Sequence, residues 1–344
     1  MAGHIELARG RIESVLELGD EELIAALGGR ERDRVRYGLE HVDVAELRSL
    51  AERAGLETIC ACDAGYPVAL RALAAPPAVL HVAGGLARLL ALADADPVAV
   101  VGSRRASEYG LEVARSLGRG LGLAGIPVLS GMALGIDSAA HAGALDVGAP
   151  TVAVLPGSAE RPYPPGKRAL HRRIVAGGGA VSEICPGLDT GIRRWMFLAR
   201  NRIIAGLAAM TVVVEAGERS GALVTARLTG ELGRPVGAVP GRVTTARAAG
   251  SNGLLAAGGA SLVRGPQDVL DRLFGEGVRR AAPERPPPPA ELLALLDAVE
   301  AGHDTLAALA RAGVDPEAGL RGLAALELGG YVRRAVGGRF AVVP

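Results

Sequence analysis

Val98-Ala99-Val100-Val101-Gly102-Ser103-Arg104-Arg105 decides how the chain is read. Four apolar residues without alternation suit a strand covered on both faces, and the glycine after them suits a tight turn. The same grammar recurs downstream. Apolar runs at Pro127–Leu129, Thr151–Leu155, Ala180–Ser182, Thr211–Glu215, Pro235–Val239 and Ala260–Val263 alternate with helical stretches such as Ser107–Leu123 and Asp137–Val147. Repeated strand–helix alternation predicts an α/β fold with a doubly wound, mainly parallel sheet, Rossmann-like in plan, over residues 96–275.

Outward from that block the pattern changes on both sides. Upstream, Ile12, Val15, Leu16, Leu23, Ile24 and Leu27 recur at helical spacing, so residues 1–85 are expected to be a helical domain (SAM-like) and its connector. Gly65-Tyr66-Pro67 and Pro76-Pro77 mark turns in the connector. Downstream, residues 276–290 hold four consecutive prolines, Pro286 to Pro289, and read as a stiff linker. Residues 291–344 read as helices Glu291–Glu300, Asp304–Arg311 and Pro316–Leu328, then a hairpin turning at Gly337-Gly338. Three helices and a two-stranded wing describe a winged-helix domain; a plain helical cap is the alternative.

The composition narrows the function. In 344 residues the net charge is +1, so any polyanion must be met by a local patch rather than a global field. The basic residues are arginines apart from Lys167. Cys60, Cys62 and Cys185 lack zinc-site spacing, so no metal and no cofactor is expected. With neither a signal sequence nor an apolar run of membrane length, a cytoplasmic protein without membrane contact is expected.

In a doubly wound sheet, ligands bind beyond the carboxyl ends of the strands. Those tips carry Gly102-Ser103-Arg104-Arg105, then Ser130-Gly131 with Ala133 and Gly135, then a long loop ending at Lys167-Arg168, then Ser220-Gly221. Small residues let a ligand approach the backbone, helix N-termini offer N–H groups to an anion, and the cations add charge. Such loops sharing one edge, with cations, read as a phosphate pocket, although any one glycine by itself reads as closing a tight turn. The dinucleotide fingerprint and the Walker motif are absent: Gly102 lacks a second glycine two residues on, and Gly166-Lys167 is followed by Arg168. Asp137 and His141, four apart, could form an acid/base pair, but Asp137 reads better as a helix cap and His141 as packing. Ser130 lacks a nucleophile elbow. No catalytic residue is therefore expected. In the amphipathic segment 197–207, Arg200, Asn201 and Arg202 offer planar donors to phosphate or pair with acids such as Glu183 or Glu215. With aromatics at 3% extensive base stacking is not expected; Trp195 and Phe197 are the candidates for it, but both read as core.

The ordered set of motifs is specific. It runs Gly65-Tyr66-Pro67, Val101-Gly102-Ser103-Arg104-Arg105 with Tyr109-Gly110, Ser130-Gly131 with Gly135-Ile136-Asp137 and Ala140-His141, then Tyr163-Pro164 and Ser182-Glu183. It ends with Arg200-Asn201-Arg202-Ile203-Ile204-Ala205-Gly206-Leu207, Val214-Glu215-Ala216, Ser220-Gly221-Ala222-Leu223 and Val239-Pro240-Gly241. In this order the residues resemble the DNA processing protein A (DprA/Smf) family, closely over residues 65–275. The resemblance implies a Rossmann-like core that binds single-stranded DNA, a homodimer, and delivery of the RecA recombinase onto incoming strands in natural transformation, without enzymatic turnover. It maps the family's GSR arginine onto Arg104 and its basic residue after the tyrosine-proline loop onto Arg168. Lys167 stands where the family carries Asn; Pro156-Gly157 and Leu198 also depart from its pattern. A nucleotide-binding sensor or a nucleoside-monophosphate hydrolase on a related fold is the alternative, but Pro240-Gly241 is followed by Arg242 where the hydrolase loop would continue with glycine.

Overall fold

The computed structural model describes residues 19–27, 29–187, 191–281 and 288–343. The helical reading of Ile12, Val15 and Leu16 and the linker prolines Pro286 and Pro287 fall outside them. Two compact units are present, residues 1–281 and 282–344.

The first unit begins with α1 (Asp20–Leu27), α2 (Arg32–Glu40) and α3 (Val44–Arg53). Then come β1 (Glu57–Cys60), α4 (Val68–Arg71), β2 (Val79–Ala83) and α5 (Leu86–Ala93). From there strand and helix alternate: β3 (Val98–Val101), α6 (Glu108–Leu123), β4 (Val128–Ser130), α7 (Ile136–Asp146), β5 (Thr151–Val154), α8 (Arg168–Gly177) and β6 (Gly179–Ser182). The chain continues through α9 (Arg194–Leu207), β7 (Met210–Val213), α10 (Gly221–Glu231), β8 (Val236–Ala238), α11 (Ala249–Ala256), β9 (Ser261–Leu262) and α12 (Pro266–Phe274).

The nine strands form one sheet in the order β1-β2-β6-β5-β4-β3-β7-β8-β9. From β6 to β9 every neighbouring pair is parallel. Every residue of β3 is buried, and alternate residues serve opposite faces. Val98 and Val100 pack with Val113, Leu117 and Leu121 of α6 and Ala140 of α7. Ala99 and Val101 pack with Ile203 and Ile204 of α9 and Ala222 of α10. A three-layer sandwich follows, as the unalternating run predicts. The α6–α7 contact is close: a Cβ at Gly118 would overlap the Ala140 carbonyl, and one at Gly143 the Arg115 carbonyl.

The connector departs from the sequence reading. Residues near 60 read as helix and loop, yet β1 and β2 extend the sheet as antiparallel strands, β2 joining β6. The turn signals are real and anchor this ribbon: buried Tyr66 donates from its hydroxyl to the Pro77 carbonyl at 2.7 Å, and Arg71 stacks on the Tyr66 ring while donating to the carbonyls of Ala61 and Asp63.

The second unit holds α13 (Ala290–Glu300), α14 (Leu306–Arg311), α15 (Pro316–Leu328) and a hairpin of β10 (Val332–Ala335) and β11 (Arg339–Val342). Leu295, Val299, Leu309, Leu323, Leu326, Val332 and Phe340 form its core. Gly337 and Gly338 both take positive φ at the turn, as the hairpin requires.

Candidate functional site

The strand order reverses between β3 and β7: from β3 the chain winds outward through β4, β5 and β6, then returns to β7 on the other side. The loops leaving these two strands diverge and leave a crevice. There, at the carboxyl ends, lies a cleft of about 460 Å³ lined by Gly102, Ser103, Arg104, Ala133, Asp137, Phe197, Leu198, Arg200, Asn201, Gly217, Arg219, Ser220, Gly221 and Thr225, among others.

Its floor is built by loop-to-loop hydrogen bonds. Ser103 donates its N–H to the Glu215 carbonyl at 2.7 Å, and its own carbonyl accepts from Ile136 N at 3.2 Å. Gly135 sits at the N-cap of α7 with φ of 80°, and a Cβ there would strike the Ser103 carbonyl; only glycine lets the β4 loop lie against the β3 loop. Ser130 is buried and donates from its hydroxyl to the Val100 carbonyl at 2.6 Å, so it ties β4 to β3. Glu215 is buried and accepts from the Ser107 hydroxyl at 2.7 Å, and Ser107 in turn caps α6 at Gly110 N.

Asp137 does not cap α7 in the ordinary way. It is the second residue of the helix, and Oδ2 accepts from the amides of Gly131 and Ala133, at 3.2 and 3.4 Å. Burial pushes its carboxyl pKa up, against the pull of the Arg200 charge. Arg200 is 5% exposed. Its Nη1 donates to the Val154 carbonyl at 2.6 Å and its Nε to Asn201 Oδ1 at 3.2 Å. Burial lowers its pKa to about 10, which leaves it charged at neutral pH. Asn201 donates to the Gly221 carbonyl at 3.2 Å and so links α9 to α10. His141 is fully buried, and burial pushes its pKa down to about 3. Nδ1 lies 2.7 Å from Thr151 Oγ1, whose own proton goes to the Val128 carbonyl. His141 therefore packs as a neutral donor to Thr151, and the Asp137–His141 spacing does not make a proton shuttle.

The mouth of the cleft is cationic and partly aromatic. Arg104 is exposed and holds its guanidinium 4.5 Å from the Phe197 ring centroid, and Phe197 lies 5.4 Å from the Tyr163 ring. Arg219 reaches the cleft from the β7 loop. Ser220 caps α10 by accepting from Ala222 N at 3.3 Å, so the amino end of that helix faces the cleft, where an anion is favoured.

Of the residues singled out in the sequence, the cleft thus brings together Gly102, Ser103, Arg104, Ala133, Arg200 and Asn201. Gly131 and Gly135 shape its floor. Arg105, Lys167 and Arg168 lie outside its lining: Arg105 and Arg168 are exposed, and Lys167, half-buried, closes the 3-10 turn that precedes α8. Arg202 points away and pairs with Glu183, one of the acids named for it. Trp195 and Phe197 are not core. Trp195 is 57% exposed and Phe197 lines the cleft, while Met196 between them is the residue of that turn that packs inward. Arg219 was not singled out, although its place in the loop after a parallel strand marked it. Among the described residues there is no cluster suited to a metal ion, and no described helix is long and apolar enough to cross a membrane.

The comparisons with known proteins agree with this geometry. Residues 57–274 match the family described as DNA recombination-mediator protein A. The chain is 43% identical over 217 residues to a DNA processing protein DprA of Mycobacterium tuberculosis, covering 63% of this chain and 54% of that protein; it thus spans about half the length of that curated relative. It is 32% identical to the DNA processing protein DprA of Bacillus subtilis, covering 67% of this chain and 75% of that one. The crystal structure of DNA processing protein A from Streptococcus pneumoniae superposes with a TM-score of 0.67 at 33% identity, over 75% of this chain and 87% of that one. A structure of the Helicobacter pylori protein, solved to describe its single-stranded DNA binding mode, superposes with a TM-score of 0.56 at 28% identity, over 64% of this chain and 97% of that one. With the family match spanning well over half of the chain, the protein belongs to the DNA recombination-mediator protein A family.

Proposed function

We propose that this chain binds single-stranded DNA in the cleft at the β3/β7 reversal and presents it, as a homodimer in the cytoplasm, to a RecA recombinase during transformation or homologous recombination. The observation that carries the reading is the mouth of the cleft. Arg104 and Arg219 line the cleft from the β3 and β7 loops, Arg219 directly precedes the Ser220 cap of α10, and Phe197 offers an aromatic face beside Arg104. Non-specific strand binding needs this combination of backbone neutralisation and π-surface with little base readout. Lys167 and Arg168, outside the cleft, extend the cationic track for a longer strand. Gly102, Ser103 and the buried Arg200 and Asn201 hold the frame.

The domain division follows the same reading: a helical region with its connector over 1–85, the strand-binding domain over 96–275, a linker over 276–290 and a winged-helix domain over 291–344. The last is assigned to protein contact rather than duplex DNA. On α15, Arg321 pairs with Glu317 at 2.7 Å, and from the hairpin Arg334 pairs with Glu327 at 3.0 Å and Arg339 with Asp304 at 3.5 Å. Little net positive charge is left for a phosphate backbone.

The test is fluorescence anisotropy of labelled oligo-dT at two salt concentrations, with the wild type and an Arg104→Ala/Arg219→Ala double variant. Salt-sensitive binding that the double variant loses supports the reading. A folded wild type that ignores the strand but binds or turns over nucleoside monophosphates transfers the cleft to a small-nucleotide sensor or hydrolase.

A further inference from the structure

The first turn of α9 carries an apolar face that packing leaves open. Trp195 is 57% exposed and Leu198, three residues on and on the same helix face, is 52% exposed, whereas Met196 and Arg200 are buried. Leu198 and Phe197 line the cleft, so the indole stands one step outside the cleft wall. Arg193 and Arg194 directly precede it in sequence. Trp195 and Leu198, exposed beside the cleft-lining Phe197, make a contiguous apolar patch at a cationic groove, and such a patch marks a binding surface. An unpaired nucleobase carried on a phosphodiester chain fits: the chain follows the arginines while the base lies on the indole. A base inside a duplex already has both faces stacked and cannot use this surface.

We propose that Trp195 is a stacking platform for one unpaired base at the mouth of the cleft, and that it favours single strands over duplex. This rests on the cleft being a single-stranded DNA site and adds a base contact to it. The arginines meet phosphates in either form of DNA; the indole meets a base only when it is unpaired.

Trp195 is the chain's one tryptophan, so its emission reports on this position alone. The experiment titrates the full chain with oligo-dT and with an abasic phosphodiester strand of equal length. Oligo-dT is expected to quench the emission. Trp195→Ala is expected to weaken oligo-dT binding by about 5- to 150-fold, with the slope of log K against log salt unchanged because no phosphate contact is lost. Trp195→Phe should retain most of the affinity, and the abasic strand should bind wild type and Trp195→Ala alike. Equal oligo-dT affinity for wild type and Trp195→Ala, with emission unquenched, overturns the platform and leaves the cleft reading standing. A wild type that binds neither strand overturns the cleft reading and the platform with it. Emission that changes when the protein alone is diluted, and not when strand is added, assigns the indole to a contact between copies and also overturns the proposal.

Discussion

The Arg200 guanidinium occupies the space beside Gly131 that a side chain would fill, so close that a methyl group on Gly131 would overlap Nη1. That contact, with the bond to the Val154 carbonyl and the facing charge of Asp137, makes Arg200 a tie between the ends of β4, β5 and α9. A glycine in one loop and an arginine in a distant helix are thus one structural unit, and the unit forms the cleft floor.

Arg200 therefore acts by holding the frame. Arg200→Ala would leave the Val154 carbonyl and Asn201 Oδ1 without their guanidinium donor, and a loss of about 1–3 kcal/mol in unfolding free energy is expected. Gly131→Ala should destabilise through overlap, and Arg200→Lys should rescue only part of the loss because an ammonium cannot reproduce the planar fork. Urea denaturation measures each. An Arg200→Ala protein as stable as wild type but unable to bind strand would instead make the residue a direct phosphate contact.

Arg104 and Arg219 face solvent and are assigned to phosphate. Each single alanine variant should keep wild-type stability, weaken strand binding, and reduce the slope of log K against log salt by about 0.7. For Lys167 and Arg168, outside the cleft, the loss should appear only with strands long enough to leave it. Equal losses on short and long strands would place them inside the primary site.

Six strands of the sheet were legible because each is buried on both faces and reads as an unalternating apolar run, whereas β9, an edge strand whose Ser261 and Leu262 are not buried, was marked only by the apolar residues around it. β1 was not: Glu57 and Thr58 are exposed and only Ile59 is buried, so an antiparallel edge strand carries neither signature. β2 follows two prolines and was absorbed into a loop. In the site, Gly102 to Arg104 were legible because a parallel strand points at its own loop. Arg200 and Arg202 looked equivalent, yet two residues apart they project to different sides of α9, one into the floor and the other onto Glu183. Phe197 and Trp195 read as core because an amphipathic pattern says which face is apolar, not where along a helix its cover ends.

His141 supplies a pH test. Its folded pKa is pushed down to about 3 from an ordinary 6.5. Between those values the unfolded chain binds a proton that the folded chain does not. The contribution is therefore fully present above pH 6.5 and is lost as pH falls towards 3, by up to about 1.4 kcal/mol per pH unit. His141→Gln, which retains a donor for Thr151, should show a shallower fall over that window when unfolding free energy is followed by urea titration. Parallel curves for the two proteins would show that His141 is not held neutral.

The C-terminal unit gives the last prediction. Residues 282–344 form their own compact unit with a core of seven buried side chains, and the arginines Arg321, Arg334 and Arg339 are committed to local acids. Exposed ion pairs of this kind are individually weak, but a phosphate would have to displace a carboxylate at each one, which leaves little gain for duplex binding. Removing residues 282–344 should therefore leave both the affinity for oligo-dT and its salt slope unchanged, and duplex affinity should be low with or without the unit. What the deletion is expected to remove is a protein contact, with Leu320 and Leu328 on α15, 48% and 91% exposed, as the apolar part of that surface. Anisotropy with single- and double-stranded probes decides it: a truncated protein that loses salt-sensitive duplex binding would show that the hairpin arginines leave their acids for DNA.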